Sequence, residues 1–293
     1  MTFKKSMSIF LGNIDTLFKV LLYSFVLILI CLAVLVAIIR PIVGGMFNAL
    51  ELADQLQETV NTWLEGGQGS FGKFFSDIGA TFSDNSLGLW NMFFIVMLFY
   101  ALFKFFLLLT YIPLSKVLCR KMSESYTEKF YAAFVGSLGK SLLFALLHTL
   151  MTVAIDAAIL LGGYYLFKFI YSAFKILSLT IVAFAVIILF SLKTTMLNQW
   201  VPNIVCGKKE VFPALRSAFP AAKRSFSSIF SSVLALYIML FGLIASTWLS
   251  SLGVVPIIAV ASFMVLENAV GLTTYFKDNN LKFYTDEIEI ESH

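Results

Sequence analysis

Long apolar runs, separated by short stretches rich in Lys and Arg, set the pattern of this chain. Six runs stand out, at about 17–39, 90–112, 141–167, 176–197, 227–250 and 254–276. Each holds about 20 residues or more, enough for a helix to cross a ~30 Å hydrocarbon core at ~1.5 Å per residue. No water reaches backbone N–H and C=O groups there, so such a run must fold as a helix that bonds to itself. The pattern predicts an all-α polytopic membrane protein, a single membrane domain over 1–293 with six transmembrane helices paired as three hairpins. The first run, Phe18–Ile39, is too long for the apolar region of a cleavable signal, and "RPIVGG" follows it, so it reads as a retained helix.

A second periodicity precedes the odd-numbered spans. "SIFLGNIDTLFKVLLYSF", "SYTEKFYAAFVGSLGKSLLF" and "KEVFPALRSAFPAAKRSFSSIF" are each amphipathic, rich in aromatics, and carry a cation just before the span. Phe3, Met7, Phe10, Ile14, Leu17 and Leu21 fall on one face of the first. Ser125-x-x-Glu128 is a capping-box spacing in the second. Phe212, Leu215, Phe219, Ala222 and Phe226 line one side of the third, and Pro220 is expected to kink the chain into the fifth span. Such segments lie in a membrane interface with their cations snorkelling to anionic headgroups, and Lys19, Lys140, Lys209, Arg216, Lys223 and Arg224 are the candidate interfacial cations.

Composition agrees with the class. Of 293 residues, 59% are hydrophobic and 13% charged, with a mean hydropathy of +0.90. A soluble domain carries about 25% charged residues. Orientation follows from the cations. With both termini inside, the inner segments hold sixteen Lys and Arg, whereas the outer ones hold Arg40, Lys73, Lys168 and Lys175. The expected setting is the cytoplasmic membrane of a bacterium, with the N- and C-termini cytoplasmic. Segment 40–89 is then the sizeable extracytoplasmic piece, read as two short amphipathic helices capping the bundle, or as an acidic vestibule. The tail 277–293 carries two cations and five carboxylates. It is either a frayed end or a docking element for the basic inner loops or a protein partner.

Four ionisable residues lie well inside spans: Lys104, His148, Asp156 and Glu267. A charge at the bilayer centre costs roughly 2.5–3.5 kcal/mol on insertion scales, so such residues turn to the bundle interior and find partners. Counted from the inner span ends, Lys104, His148 and Glu267 share a level about 10–14 Å deep, and Asp156 lies about 22 Å in. On the third span Ala145, Thr149, Thr152, Asp156 and Gly163 form a stripe of small and polar residues, the mark of a helix–helix contact. Asp156 therefore reads as packing glue, bonded to Thr152 or a neighbouring helix. Lys104, His148 and Glu267 read as a buried polar cluster, with a Lys104–Glu267 ion pair as its sharper form and a static pair or a neutral Glu267 as its plainer one.

The stretch "LKTTMLNQWVPNIVCGKKEVFPALRSAF", followed by "KRSFSSIF", resembles a loop of bacterial six-helix membrane proteins such as the membrane domain attached to some glycerophosphodiester phosphodiesterases. Pro202, Ile204, Val205, Ala214, Leu215 and Ser217 carry the likeness. It implies fold rather than activity, since the catalytic barrel of those enzymes has no room here.

No phosphate-cradling Gly-rich loop, His-Glu-x-x-His or Gly-x-Ser-x-Gly occurs, and the cysteines Cys31, Cys119 and Cys206 form no metal-ligand spacing. The sequence predicts no catalytic residue, metal, cofactor or nucleic-acid partner. Two functions fit: a transport-type protein or permease subunit with polar residues lining a route, or a non-catalytic membrane-organising or assembly factor that binds lipid and partners.

Overall fold

The computed structural model describes residues 2–42, 86–124, 128–250 and 255–283. The expected amphipathic helices of the 40–89 segment, the capping-box serine Ser125 and the tail from residue 284 onward lie outside the described residues. Ten helices occupy the described residues: α1 Thr2–Leu11, α2 Ile14–Ile42, α3 Ser86–Leu108, α4 Tyr111–Ser123, α5 Phe130–Phe174, α6 Ile176–Leu197, α7 Trp200–Val205, α8 Val211–Arg224, α9 Phe226–Ser250 and α10 Val255–Asp278. Six stretches are long and apolar enough to cross a membrane, one in each of the six predicted runs. The protein is all-α and polytopic.

The surface is apolar, unlike that of a water-soluble domain: Phe169, Tyr131, Leu150, Leu22 and Phe18 are among the most exposed side chains. The interior is mainly apolar too, but it also holds Asp156, Gln199, Asn203 and Asn268. An apolar exterior with polar groups turned inward is what lipid as solvent selects.

Two compact units divide the chain: Met1–Val26 with Lys104–His293, and Leu27–Phe103. The smaller unit's described parts belong to α2 and α3. In the larger, α10 is the most enclosed of the spans and packs against α1, α4, α7 and α9. α5 packs against α4, α6 and α8, and α6 against α9. Two core clusters share α4: Trp200 and Phe144 lie in the one, with α7 and α8, and Leu114, Leu118 and Phe276 in the other, with α10, all five 2% exposed or less. Gly271 permits one of these approaches. A Cβ there would stand 2.9 Å from the Asn198 carbonyl oxygen, so only glycine lets α10 lie this close to the α6–α7 turn.

The entry segments differ among themselves. α1 is set off from α2 by a turn at Gly12–Asn13, and α8 from α9 at Ser225. The middle one is not separate: α5 runs unbroken for 45 residues, about 67 Å, more than twice a bilayer core. Nothing from Phe130 to Lys140 stops it. Buried Ala133, Ser137 and Ser141 continue the small-residue stripe and hold this first part with the rest of the core.

α5 and α6 are joined by one residue, Lys175, at φ 46° and ψ −121°. A side chain at positive φ is strained there, and such conformations cost of order 1–3 kcal/mol. Lys175→Gly is therefore expected to raise stability by about 1 kcal/mol, measured as a shift of the unfolding midpoint in mixed micelles. An unchanged or lowered midpoint would show that the turn is relaxed with lysine.

Candidate functional site

The α5–α6 hairpin sets the site. Because it turns on Lys175 alone, Asp156 on α5 and Lys193 on α6 lie nearly equal numbers of residues from the turn, nineteen and eighteen, and so at one level. Lys193 Nζ donates to Asp156 Oδ1. Lys104, from α3, donates to Asp156 Oδ2 at 2.5 Å. The carboxylate is fully buried, and the lysine side chains are 13% and 11% exposed. One aspartate thus bridges two lysines from different hairpins, one on each oxygen. The Lys193 ammonium also sits 4.7 Å over the Phe190 ring, a favourable cation–π placement.

Several sequence expectations are corrected by this geometry. Of the two partners expected for Asp156, Thr152 or a neighbouring helix, the structure has the second, in charged form: it bonds to α3 and α6. Thr152 donates to the His148 carbonyl at 2.7 Å, and Asp156 is the centre of a charged triad. Lys104 binds Asp156, while Glu267 Oε2 accepts from the Tyr111 hydroxyl at 2.7 Å, so the expected Lys104–Glu267 pair is replaced by two other contacts. Glu267 still lies in the electrostatic field of both lysines. Depth counting failed because it measured Asp156 from an assumed start at 141 and placed a loop at 168–175. The helix begins at Phe130 and fills that loop, which moves the level of Asp156 onto the lysines.

His148 stands two turns from Asp156 on α5 and within the field of all three triad members. Its ring stacks on Trp200, with centroids 5.8 Å apart, and touches Phe144 at 5.4 Å. Its Nδ1 lies 3.4 Å from Thr152 Oγ1. Further polar contacts lie elsewhere in the interior. Thr194 and Tyr237 hydroxyls lie 2.8 Å apart, Asn198 Nδ2 donates to the Glu267 carbonyl at 3.2 Å, and Gln199 Nε2 donates to the Gly271 carbonyl at 3.2 Å. Ser115 donates to Asn268 Oδ1 at 2.5 Å.

The candidate interfacial cations divide into paired and open ones. Lys19 lies 3.6 Å from Asp15, Lys140 is bonded to Glu210 at 2.8 Å, and Lys209 lies 3.5 Å from Asn203 Oδ1. Arg216, Lys223 and Arg224 are exposed on α8. Of the side predicted for that helix, Phe212 and Phe219 are exposed and Ala222 is buried. Val211, Ala214, Ala218 and Ala222 face the core, while Phe212 and Phe219 share the outer face with Arg216 and Lys223.

Lys193 was hidden among the inner cations, but the chain holds a signal for it. Lys104 and Lys193 each precede an aromatic–aliphatic–Pro triplet by seven residues: Tyr111-Ile112-Pro113 and Trp200-Val201-Pro202. Each triplet opens a new helix after a two-residue turn, where proline in the first turn costs no hydrogen bond. Further on, Cys119 precedes Arg120-Lys121 and Cys206 precedes Lys208-Lys209 by one residue, and both cysteines pack against the same core cluster. The second helices of two hairpins are thus one repeated unit. The third, α10, carries Glu267 seven residues before Thr274 and runs on unbroken, without a proline there. Comparison of the chain with known protein families, with characterised proteins and with solved structures finds no match.

Proposed function

We propose that this is a transport-type protein of a bacterial cytoplasmic membrane, with its basic end and both termini on the cytoplasmic side, and that its route passes the Lys104–Asp156–Lys193 centre. The observation that carries the reading is the triad itself. Burying three charges is expensive, and apolar residues of similar volume would hold helices together as well or better. Ionisable groups kept inside a membrane bundle mark pathways and relays more than they mark stability. The polar side chains of Thr194, Tyr237, Asn198 and Gln199, which hydrogen-bond in the same interior, support it.

A second reading, a membrane-organising factor, is favoured by the outer face of α8. Phe212, Arg216, Phe219 and Lys223 combine aromatic and basic side chains next to the start of a span, the chemistry of an anionic lipid surface.

Thiol accessibility separates the two. Cys31, Cys119 and Cys206 are replaced by Ser, and single cysteines are placed at Thr152, Thr194 and Asn198, which leave the triad intact, with Leu150→Cys as a lipid-facing control. In sealed vesicles a membrane-impermeant thiol reagent is expected to modify the three interior positions and spare the control. Interior positions as unreactive as the control would sink the transport reading and leave the organising one.

A further inference from the structure

We infer that the space bracketed by Lys104 and Lys193 is a binding site for a small oxyanion of carboxylate or phosphate chemistry, with Asp156 as its resident counter-ion. The inference rests on the transport reading and names the ligand class of the same site.

The triad holds two ammonium groups against one carboxylate, so on its own it is cationic. Each lysine takes one oxygen of the same carboxylate, which is how two cations grip a small planar anion. The lysines are not scattered. They occupy the same place in a repeated unit, on the second helices of two hairpins, and the equivalent place in the third holds an acid, Glu267. Glu267 is engaged by Tyr111, on the far side of the same repeated turn, and still feels both lysines. Two cations from a duplicated element thus converge on a single acid from a helix outside the duplication, α5. An external anion that took the Asp156 position would meet both ammonium groups and the Phe190 ring beneath one of them. Neutralising Asp156 exposes that preference, because it removes the carboxylate that both lysines share.

The test uses the full chain, purified in detergent, with Asp156→Asn as the neutral isostere. Sodium acetate and inorganic phosphate are each exchanged for sodium chloride at constant ionic strength, and the unfolding midpoint is followed. Asp156→Asn is expected to be stabilised by one of the two oxyanions at concentrations at least about tenfold lower than the wild type needs. Lys104→Met or Lys193→Met, each added to Asp156→Asn, is expected to abolish the effect. If Asp156→Asn does not fold, the wild type and its two lysine variants carry the test: oxyanion stabilisation of the wild type, lost in both variants, is the expected result. Equal oxyanion dependence with and without the lysines, or none in any folded protein, overturns the inference. Interior thiols that label while oxyanions have no effect leave the route and remove the anion. Interior thiols that stay dry remove the route itself.

Discussion

Replacing Asp156 with Leu is expected to destabilise the protein by about 3–5 kcal/mol, because it strands two buried lysines without their shared carboxylate. Lys193→Met alone costs less, since Lys104 still pairs with Asp156. The decisive variant is the triple replacement Lys104→Met, Asp156→Leu and Lys193→Met. It removes every charge of the triad at similar volume and is expected to recover stability to within about 1 kcal/mol of the wild type. Unfolding midpoints in a denaturing-detergent titration followed by circular dichroism supply the comparison. A triple variant that folds well but loses transport or oxyanion binding would assign the triad to function rather than to stability. A triple variant as unstable as Asp156→Leu would mean that the charges hold the helices together.

The second large effect is expected at Trp200. Its side chain is fully buried where α7 enters the core, its Nε1–H donates to the Val211 carbonyl at 2.9 Å, and its ring meets Phe144 edge-on and stacks on His148. Trp→Ala changes in cores cost about 3–5 kcal/mol, and the lost hydrogen bond adds about 0.5–1.5 kcal/mol. Trp200→Ala should therefore lower stability by at least about 4 kcal/mol, near the limit of what a domain tolerates. Trp200→Phe keeps most of the volume, loses the hydrogen bond and should cost about 1–2 kcal/mol. Equal losses for the two variants would show that the hydrogen bond dominates; a negligible loss for both would remove Trp200 from the core.

The six spans were legible because run length and polarity alone decide them: a stretch such as 176–197 has no other way to satisfy its backbone in lipid. The stripe on α5 was legible too, and its five residues from Ala145 to Gly163 are all buried. Register was not. Lys168 and Lys175 made 168–175 look like a loop, yet the helix continues through Lys168 and turns on Lys175 alone. That difference of a few residues moves Asp156 from the outer half to the level of Lys193. Lys193 itself counts only as one of the inner-segment cations, because it lies near the end of its span. Its partner sits across the hairpin, where hydropathy carries no information. The repeat that couples Lys104 to Lys193 is a matter of spacing ahead of an aromatic–aliphatic–Pro turn, and its meaning appears only once both lysines are seen on one carboxylate.

The contact between Asp156 and Lys193 carries the account, and a double-mutant cycle on Asp156→Asn and Lys193→Met measures it directly. The account predicts a coupling of about 1.5 kcal/mol or more in detergent unfolding, as expected of charges that share a buried hydrogen bond. Effects that add to within about 0.5 kcal/mol would contradict it.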